Sequence, residues 1–279
     1  MNKSNWDDIR FVLAVAESGS VNTAAQNLGV THATVLRRVA SFEERHGRKI
    51  FARAATGYRL LPGSEAILRA AREVEAAVFS VDRAVSGTDR DTTGPVRITS
   101  TDSLSQMILP AIIADIVKEF PQMDISLLSG NSHLDLSRLS ADISIRPAIS
   151  LTEGMIGRVA NHLHFGVYAT TPNPRTWLRL EGSLGQTSTA QWMKDNLDQS
   201  LIMGGADSFL VLCQMARHSD AAALMPRFVG DAVPDLYDVS HLAPSMSVPI
   251  WVAGQEDTRE NTRFRMVRDR LAAGLAALW

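Results

Sequence analysis

The segment VNTAAQNLGVTHATVLRRVASFEERHG, residues 21–47, contains two stretches with helical spacing on either side of Gly29. Apolar residues recur three and four positions apart in both stretches, at Val21, Ala24, Ala25 and Leu28 and then at Val35, Val39 and Phe42. Ser20 and Thr31 precede the two stretches and are suited to cap helices. Two short helices joined by a glycine turn, the second of them basic, form a helix-turn-helix pattern.

The flanking sequence extends this pattern in both directions. A helix is predicted from about residue 5 to residue 18, where the run Ser-Gly-Ser ends it. The stretch RKIFARAATGYRLL, residues 48–61, predicts two short strands around a glycine turn, which is the wing of a winged helix. Residues 1–62 are therefore assigned to a winged helix-turn-helix domain.

A long helix is predicted to begin at Pro62, because proline is favoured in a first helical turn. Its apolar residues follow heptad spacing, at Ile67, Ala71, Val74, Val78, Val81 and Val85. Such a seam needs a partner helix, and pairing between two copies of the chain is favoured over packing against the N-terminal domain. The polar stretch SGTDRDTTGP predicts a linker. Residues 63–93 are assigned to a dimerisation helix and hinge.

The remaining residues, 94–279, alternate predicted strands with predicted helices, which is typical of a parallel α/β sheet. Strands are predicted at 96–100, 124–130, 141–146, 164–170, 200–205, 221–226 and 248–254. Helices are predicted at 104–120, 134–140, 206–219 and 258–279. The fold class is therefore a multidomain α/β protein, in which residues 94–279 form the larger domain.

The distribution of charge separates the two ends of the chain. The formal net charge of the 279 residues is only −2. Residues 1–62 nevertheless hold nine Lys or Arg against five Asp or Glu, whereas residues 94–279 hold 15 against 19. Residues 1–62, called the head from here on, are therefore basic, whereas residues 94–279 are acidic. This distribution indicates that only the head binds a polyanion such as nucleic acid.

The chain has no sequence feature of export or of membrane insertion. Cys213 is the only cysteine, which excludes an intramolecular disulfide, and its apolar neighbours predict a buried thiol. The N-terminal segment lacks the apolar core of a signal peptide. The most apolar stretch, residues 107–117, is too short for a bilayer and is interrupted by Pro110 and Asp115. A cytoplasmic protein without membrane association is expected.

Several motifs occur in order across the first third of the chain. They are A-A-x-x-L-x-V at 24–30, R-R-hydrophobic at 37–39, E-E-x-x-G-x-x-[IL]-F at 43–51 and R-L-x-P-G at 59–63. In these motifs residues 11–68 resemble LysR-type transcriptional regulators. The stretch ADISIR, residues 141–146, resembles the D-[IL]-A-[IL]-R strand of the same family's effector domain.

The resemblance implies a three-part protein that binds double-stranded DNA and a small-molecule effector. The parts are a winged helix-turn-helix, a long linker helix, and a C-terminal effector domain of the periplasmic-binding-protein type with two α/β subdomains and a pocket between them. It also implies a homodimer through the linker helix, or a homotetramer, and no cofactor. The chain departs from the family's usual residues at His32-Ala33 and Leu36, and residues 170–201 match so poorly that a trimmed subdomain is expected.

A recognition helix reads base edges from its N-terminal residues, while neighbouring segments contact the backbone. The DNA contacts are accordingly assigned to Ser20, Asn22, Thr31, His32, Thr34, Arg37, Arg38, Arg53 and Arg59. The arginines of the recognition helix could make bidentate contacts to guanine or hold phosphate. The alternatives are solvated arginines, arginines paired with Glu43 or Glu44, and a purely capping role for Ser20.

In open α/β sheets, ligands bind beyond the carboxyl ends of the strands. Polar residues at these positions are suited to an anion, because hydroxyl groups there are combined with free N–H groups of helix N-termini. The effector contacts are assigned to Ser100, Thr101, Ser103, Asn131, Arg146, Tyr168, Asp207 and Ser208. The alternative is that these residues only cap helices or complete loops.

Catalytic and metal sites are poorly supported. No G-x-S-x-G, phosphate-binding loop or dinucleotide-binding motif occurs, and the chain is expected not to be an enzyme. His162 and His164 share one face of a predicted strand without nearby ligands at metal spacing, so no metal site is assigned. Four arginines near the C-terminus are interpreted as a solvated helix face: Arg263, Arg265, Arg268 and Arg270.

Two alternatives remain, namely a DNA-binding regulator that acts through a protein partner without an effector, and a winged helix fused to an enzymatic or solute-binding domain.

Overall fold

A computed structural model describes residues 6–54, 57–86, 93–131 and 141–278. The chain divides into two compact units, Met1–Asp82 and Arg83–Trp279. In the part of the chain that the structure describes, no helix is both long and apolar enough to cross a membrane.

The first unit begins with three helices, α1 (Trp6–Ser18), α2 (Val21–Leu28) and α3 (His32–His46), which agree with the predicted helices. Gly29 ends α2 in the left-handed conformation, with φ of 65°, and its N–H donates to the backbone carbonyls of Ala25 and Gln26 in the last turn of α2. A residue with a β-carbon rarely adopts this conformation, so glycine permits the tight turn into α3. The three helices bury a common apolar core that includes Val12, Ala24 and Val35.

The predicted wing is an antiparallel hairpin of β1 (Phe51–Ala54) and β2 (Gly57–Leu60), in which Phe51 pairs with Leu60. The tip residues 55 and 56 lie outside the described residues. Tyr58 donates its backbone N–H to the carbonyl of Gly19 at 2.9 Å. A β-carbon on Gly57 would lie 2.4 Å from that carbonyl, so glycine is required where the wing meets the turn between α1 and α2.

The long helix α4 covers Glu65–Ser86. The prediction that it begins at Pro62 is wrong, because Ser64 donates its N–H to Leu61 and closes a turn before the helix starts. Leu68 and Ala71 are buried in the core of the first unit, whereas Val74 and Val81 are 40% and 62% exposed. The seam is therefore divided between packing within the head and an exposed surface. The side chain of Val85 and the predicted linker residues 87–92 lie outside the described residues.

The second unit is built on a nine-stranded sheet in the order β4-β3-β5-β11-β6-β9-β7-β8, with β10 beside β6. Its strands are β3 (Gly94–Ser100), β4 (Met123–Ser129), β5 (Ile143–Pro147), β6 (Met155–Ala169), β7 (Thr176–Leu180), β8 (Ile202–Ala206), β9 (Ala221–Pro226), β10 (Tyr237–Asp238) and β11 (Ser247–Gln255).

The expected parallel arrangement is only partly correct. Strands β3, β4 and β5 are parallel to one another, as are β7, β8 and β9, but β11 is antiparallel to both β5 and β6. The first part of β6 pairs with β11 and its last part with β9. The chain leaves one subdomain along β6 and returns to it along β11, and these two strands therefore run in opposite directions.

Helices flank this sheet as α5 (Asp102–Met107), α6 (Leu109–Glu119), α7 (Ser188–Asn196), α8 (Phe209–Arg217), the short α9 (Arg227–Gly230) and α10 (Thr262–Ala276). The single helix predicted at 104–120 is broken at Ile108, because Pro110 has no N–H and its ring clashes with the preceding turn. The helix predicted at 134–140 lies outside the described residues. The segment 170–201, expected to be trimmed, contains β7 and α7.

Two apolar cores define two subdomains within the second unit. One core surrounds β3, β5 and α10 and includes Leu163 of β6. The other surrounds β7, β9 and α8 and includes Val167 of β6 together with the buried Cys213. Phe165 and Phe228 pack against both cores. The subdomains therefore share strand β6 and meet near Phe165.

Candidate functional sites: a DNA-binding edge and a ligand cleft

The N-terminus of α3 presents an exposed polar turn. Thr31 caps the helix by accepting the N–H of Thr34 at 3.3 Å, and the two hydroxyl groups lie 2.9 Å apart. His32 and Ala33 are exposed beside them. This turn has the free N–H groups and short polar side chains that suit phosphate or base edges.

The two adjacent arginines of α3 have different environments. Arg37 is exposed and forms no hydrogen bond or ion pair with another described residue. Arg38 turns inward, with Nη1 3.1 Å from Oδ1 of Asp8 and its guanidinium 5.9 Å from the ring centre of Phe11. Its partner is Asp8 and not Glu43 or Glu44. Arg38 therefore ties α3 to α1, whereas Arg37 is directed to solvent.

Asp8 is the centre of a buried ion cluster, because its side chain is 1% exposed and also contacts Arg45 at 2.6 Å. A buried carboxylate is costly unless cations and hydrogen bonds compensate it. Both arginines belong to α3 and Asp8 belongs to α1. The cluster therefore sets the position of the recognition helix.

A second buried carboxylate, Glu43, joins α3 to the wing. It accepts the N–H of Ile50 at 2.8 Å and of Phe51 at 3.2 Å, and it contacts Lys49 Nζ at 2.8 Å. Burial raises the pKa of Glu43, but the hydrogen bonds from Lys49 and the two amides outweigh burial, and the pKa of Glu43 is lowered from 4.5. The charged form of this side chain thus holds the start of the wing.

The other predicted DNA contacts are dispersed around this edge. Arg53 and Arg59 are both exposed, but the register pairs Arg53 with Tyr58 and Arg59 with Ala52, which places the two arginines on opposite faces of the wing. Ser20 caps α2 by accepting the N–H of Thr23 at 3.4 Å. Asn22 is exposed in the first turn of α2.

A cleft of about 80 Å³ lies where the two subdomains of the second unit meet. Its polar lining consists of Thr101, Ser103, Asn131, Arg146, Ser183, Thr187 and Thr189. Its apolar lining consists of Pro147, Leu163, Phe165, Leu184, Phe209 and Val248. The lining thus combines one guanidinium and several hydroxyl groups with an apolar wall, which suits a small ligand with a polar end.

Two sets of contacts cross one rim of this cleft. Asn131 accepts the N–H of Asp102 at 3.1 Å and donates to the backbone carbonyl of Asp207 at 2.9 Å. The hydroxyl of Ser208 donates to the carboxylate of Asp102. Asp102 and Asn131 follow strands of one subdomain, whereas Asp207 and Ser208 follow β8 of the other. These contacts therefore connect the subdomains directly.

The structure brings most of the predicted effector residues to the cleft or its rim. Two assignments require correction. Ser100 is fully buried and donates to the carbonyl of Ile145 at 2.7 Å, so its hydroxyl connects strands inside the sheet. Tyr168 is buried in the core of its subdomain and donates to Asp231 at 2.5 Å. Burial and the bond to Asp231 raise the pKa of Tyr168.

Sequence reasoning missed the side of the cleft formed by α7. Thr187 caps α7 by accepting the N–H of Ala190 at 3.3 Å, and its hydroxyl lies 2.8 Å from that of Thr189. The run Q-T-S-T-A before a helical segment is a recognisable capping signal.

His162 and His164 both lie in β6. Among the residues that the structure describes, no group of three or more His, Cys, Asp or Glu side chains is placed to hold a metal ion.

Comparison with known proteins defines the family. Residues 6–63 match the family described as bacterial regulatory helix-turn-helix protein, lysR family, and residues 89–276 match the LysR substrate binding domain. The Mau operon transcriptional activator of Paracoccus denitrificans is 30% identical over 267 residues, which cover 94% of each chain. The chain belongs to the LysR family of transcriptional regulators, with a DNA-binding helix-turn-helix and an effector-binding domain.

Solved structures support the same fold. The full-length virulence activator AphB of Vibrio cholerae is 17% identical, with a TM-score of 0.61 over 96% of this chain and 98% of that one. Full-length CbnR in complex with its target DNA is 16% identical, with a TM-score of 0.52 over 97% of this chain and 99% of that one. At these identities the likeness shows the fold alone.

Proposed function

We propose that Thr31, His32, Thr34 and Arg37 form the base-reading edge of the recognition helix. The observation that carries this assignment is that Arg37 is exposed, whereas its neighbour Arg38 forms an ion pair with Asp8. Arg38 then acts by holding α3 in place. This division of roles refines the expectation that both arginines contact DNA.

The flanking residues are proposed to contact the DNA backbone. Ser20 and Asn22 begin α2, and Arg53 and Arg59 are exposed on the wing. Because the two wing arginines lie on opposite faces, only one of them faces a given phosphate strand unless the wing enters a groove. The proposed DNA-binding domain comprises residues 1–62, followed by a linker at 63–93 and an effector domain at 94–279, which is consistent with the two family matches.

Substitution of each arginine tests the division of roles. Operator sequences would first be obtained by genome-wide footprinting with the purified protein. Arg37→Ala should weaken operator binding by about 1–3 kcal/mol and leave the unfolding midpoint unchanged, because only base or phosphate contacts are lost. Arg38→Ala should lower the unfolding midpoint, because it removes a cation from the buried Asp8.

Arg69→Ala provides the matched control, since Arg69 is an exposed arginine of α4. It should change neither gel-shift affinity nor stability. Unchanged operator affinity in Arg37→Ala would contradict the proposed base-reading edge.

We also propose that the cleft binds a small organic anion. Arg146 is 5% exposed and lines the cleft beside Thr101 and Ser103. The first turns of α7 and α8 contribute Thr189 and Phe209 to the same lining, so the positive ends of two helix dipoles lie at the cleft. The apolar wall then accommodates the uncharged part of the ligand.

This ligand regulates DNA binding only through its different affinity for two arrangements of the protein. A panel of small carboxylates at matched ionic strength should raise the melting temperature of the full chain where one binds. Thr187→Val should abolish that increase, whereas Ser200→Ala, an exposed serine outside the cleft, should retain it. A ligand whose effect survives Thr187→Val would not occupy the proposed site.

The exposed half of the α4 seam supports a homodimer, or a homotetramer built from such dimers. Val74 and Val81 are large apolar residues in solvent, whereas Ala71, three residues before Val74, is buried in the head. Burial of these side chains against a second copy of α4 would remove apolar surface from water. Two paired heads would then meet two half-sites of an operator.

A further inference from the structure

A groove of about 530 Å³ lies beside β6, β11 and α10, and none of its lining residues lines the cleft. Its apolar lining consists of Leu151, Met155, Ile156 and Val252, with Gly157 between them. Its charged lining consists of Arg158, Arg259, Arg265, Arg268 and Asp269. We call this surface the arginine groove.

The carboxylates near the arginine groove do not balance its guanidinium groups. Asp269 lies 3.3 Å from Nη2 of Arg158, and Glu256 lies 3.5 Å from Nη2 of Arg259. Arg265 is exposed and forms no ion pair with a described residue. Four guanidinium groups therefore face two paired carboxylates among the described side chains of the groove and its contacts.

Arg268 is the least solvated member of this cluster. Its guanidinium donates to neutral acceptors, the hydroxyl of Thr258 at 3.2 Å and the carbonyl of Arg259 at 3.5 Å. Burial lowers the pKa of Arg268, and the like charges of Arg265 and Arg259 lower it further, whereas Asp269 raises it. The surroundings of Arg268 thus disfavour its charged form.

Part of this arrangement has a structural explanation. Arg268 connects α10 to the turn at Glu256–Thr258, and it occupies space that a β-carbon on Gly254 would fill, at 2.6 Å from Nη1. Arg265 has no such role, although it lies three residues from Arg268 on the same helix. Like charges at this spacing are neighbours and destabilise a helix. An anion bound between Arg265 and Arg268 would attract both guanidinium groups and offset this repulsion.

We propose that the arginine groove binds a phosphomonoester dianion at a site separate from the cleft. Guanidinium groups match the geometry of phosphate oxygens, with which they form bidentate charge-assisted hydrogen bonds. A phosphate monoester carries about −1.5 to −2 charges at pH 7, which matches the two guanidinium groups left without a carboxylate. The wall of Leu151, Met155 and Ile156 contacts the organic part of the ligand.

Calorimetric titration of the full chain tests the site with two probes, phenyl phosphate and inorganic phosphate. Ionic strength is matched with chloride throughout. Phenyl phosphate should bind the wild-type protein, and Arg265→Gln should weaken this binding by about tenfold or more, because a charge-assisted hydrogen bond is lost. Arg265 is exposed, so the variant should retain the wild-type melting temperature.

Arg270→Gln is the matched control, because Arg270 lies on the same helix but pairs with Glu119 outside the groove. It should retain wild-type affinity, and so should the cleft variant Thr187→Val. Absence of phenyl phosphate binding, or equal affinity in Arg265→Gln, would overturn the proposal. Equal affinity for both probes in the wild type would overturn the role of the apolar wall and assign the groove to inorganic phosphate.

Discussion

Two buried carboxylates show how single residues organise the DNA-binding head. Asp8 receives two arginines of α3, and Glu43 receives two backbone amides at the start of the wing. Each acid lies on a different helix, and each holds an element that is expected to meet DNA. The charge of the head therefore has two functions, because some basic residues face solvent and others neutralise internal carboxylates.

Glu43 gives a pH prediction whose sign follows from its lowered pKa. The pKa of Glu43 is lower in the folded than in the unfolded protein, so the ionised side chain stabilises the head at pH values above its unfolded-state pKa. This stabilisation is lost as the pH falls through the folded-state pKa. Stability should therefore decline below about pH 4.5. Glu43→Gln should remove about 1–3 kcal/mol at pH 7 and flatten this dependence, since hydrogen bonds to a charged group are lost.

Hydrogen exchange of the amides of Ile50 and Phe51 reports directly on this contact. Exchange should be faster in Glu43→Gln than in the wild type at pH 7. Glu44→Gln, an exposed neighbour, is the control and should exchange as the wild type does. Equal protection in both variants would mean that the carboxylate does not hold the wing.

At the scale of elements, the first and the later turns of α4 lie in different packing environments. Its first turns complete the core of the head through Leu68 and Ala71, and its later turns expose Val74 and Val81. One continuous heptad pattern thus covers two different packing environments. The periodicity alone could not separate them, because both environments require the same apolar spacing.

Val81→Asp should disrupt the proposed dimer, because a carboxylate would be buried in an apolar seam. Sedimentation velocity should show a smaller species than the wild type at the same concentration. The head core does not contain Val81, so circular dichroism should show the same helical content. Arg69 is exposed on α4 but lies outside the heptad seam, so Arg69→Asp should sediment as the wild type does. If Val81→Asp forms the same oligomer as the wild type, the seam of α4 does not pair two copies of the chain.

At the scale of the whole molecule, the second unit depends on β6 and β11, which link two subdomains around one cleft. The cleft lining comes from segments spread from Thr101 to Val248. Direct contacts from Asn131 and Asp102 already cross its rim. Any ligand in the cleft therefore acts on an equilibrium to which these contacts also contribute.

Asn131→Ala should weaken the connection between the subdomains. Loss of its two hydrogen bonds should lower the free energy of unfolding by about 0.5–1.5 kcal/mol for each bond. For a domain of this size each kcal/mol corresponds to a decrease in Tm of about 2–4 °C. Hydrogen exchange should also increase at residues 204–209, across the rim.

Asn196→Ala removes an exposed hydrogen bond within α7, to the carbonyl of Trp192, and serves as the control. It should leave exchange at residues 204–209 unchanged. If Asn131→Ala also leaves exchange at these residues unchanged, the contact with Asp207 does not connect the subdomains.

The amino-acid sequence by itself determined the elements whose signals are local. The helix-turn-helix, its caps and the paired strands of the wing follow from apolar spacing, Gly29 and threonine or serine caps within a few residues. Several strand-end residues of the cleft were also predictable, because the carboxyl ends of strands are common ligand sites.

Only the tertiary structure decided which of these residues face a ligand and which face the protein. Arg38 and Asp8 are 30 positions apart, and their contact is visible only once α1 packs on α3. Likewise, Ser100 and Tyr168 form internal hydrogen bonds and do not line the cleft, whereas Thr187 lines it although its local sequence signals only a helix cap. Periodicity reports which side of an element is buried, but the direction of a strand and the partner of a charge depend on segments distant in the chain.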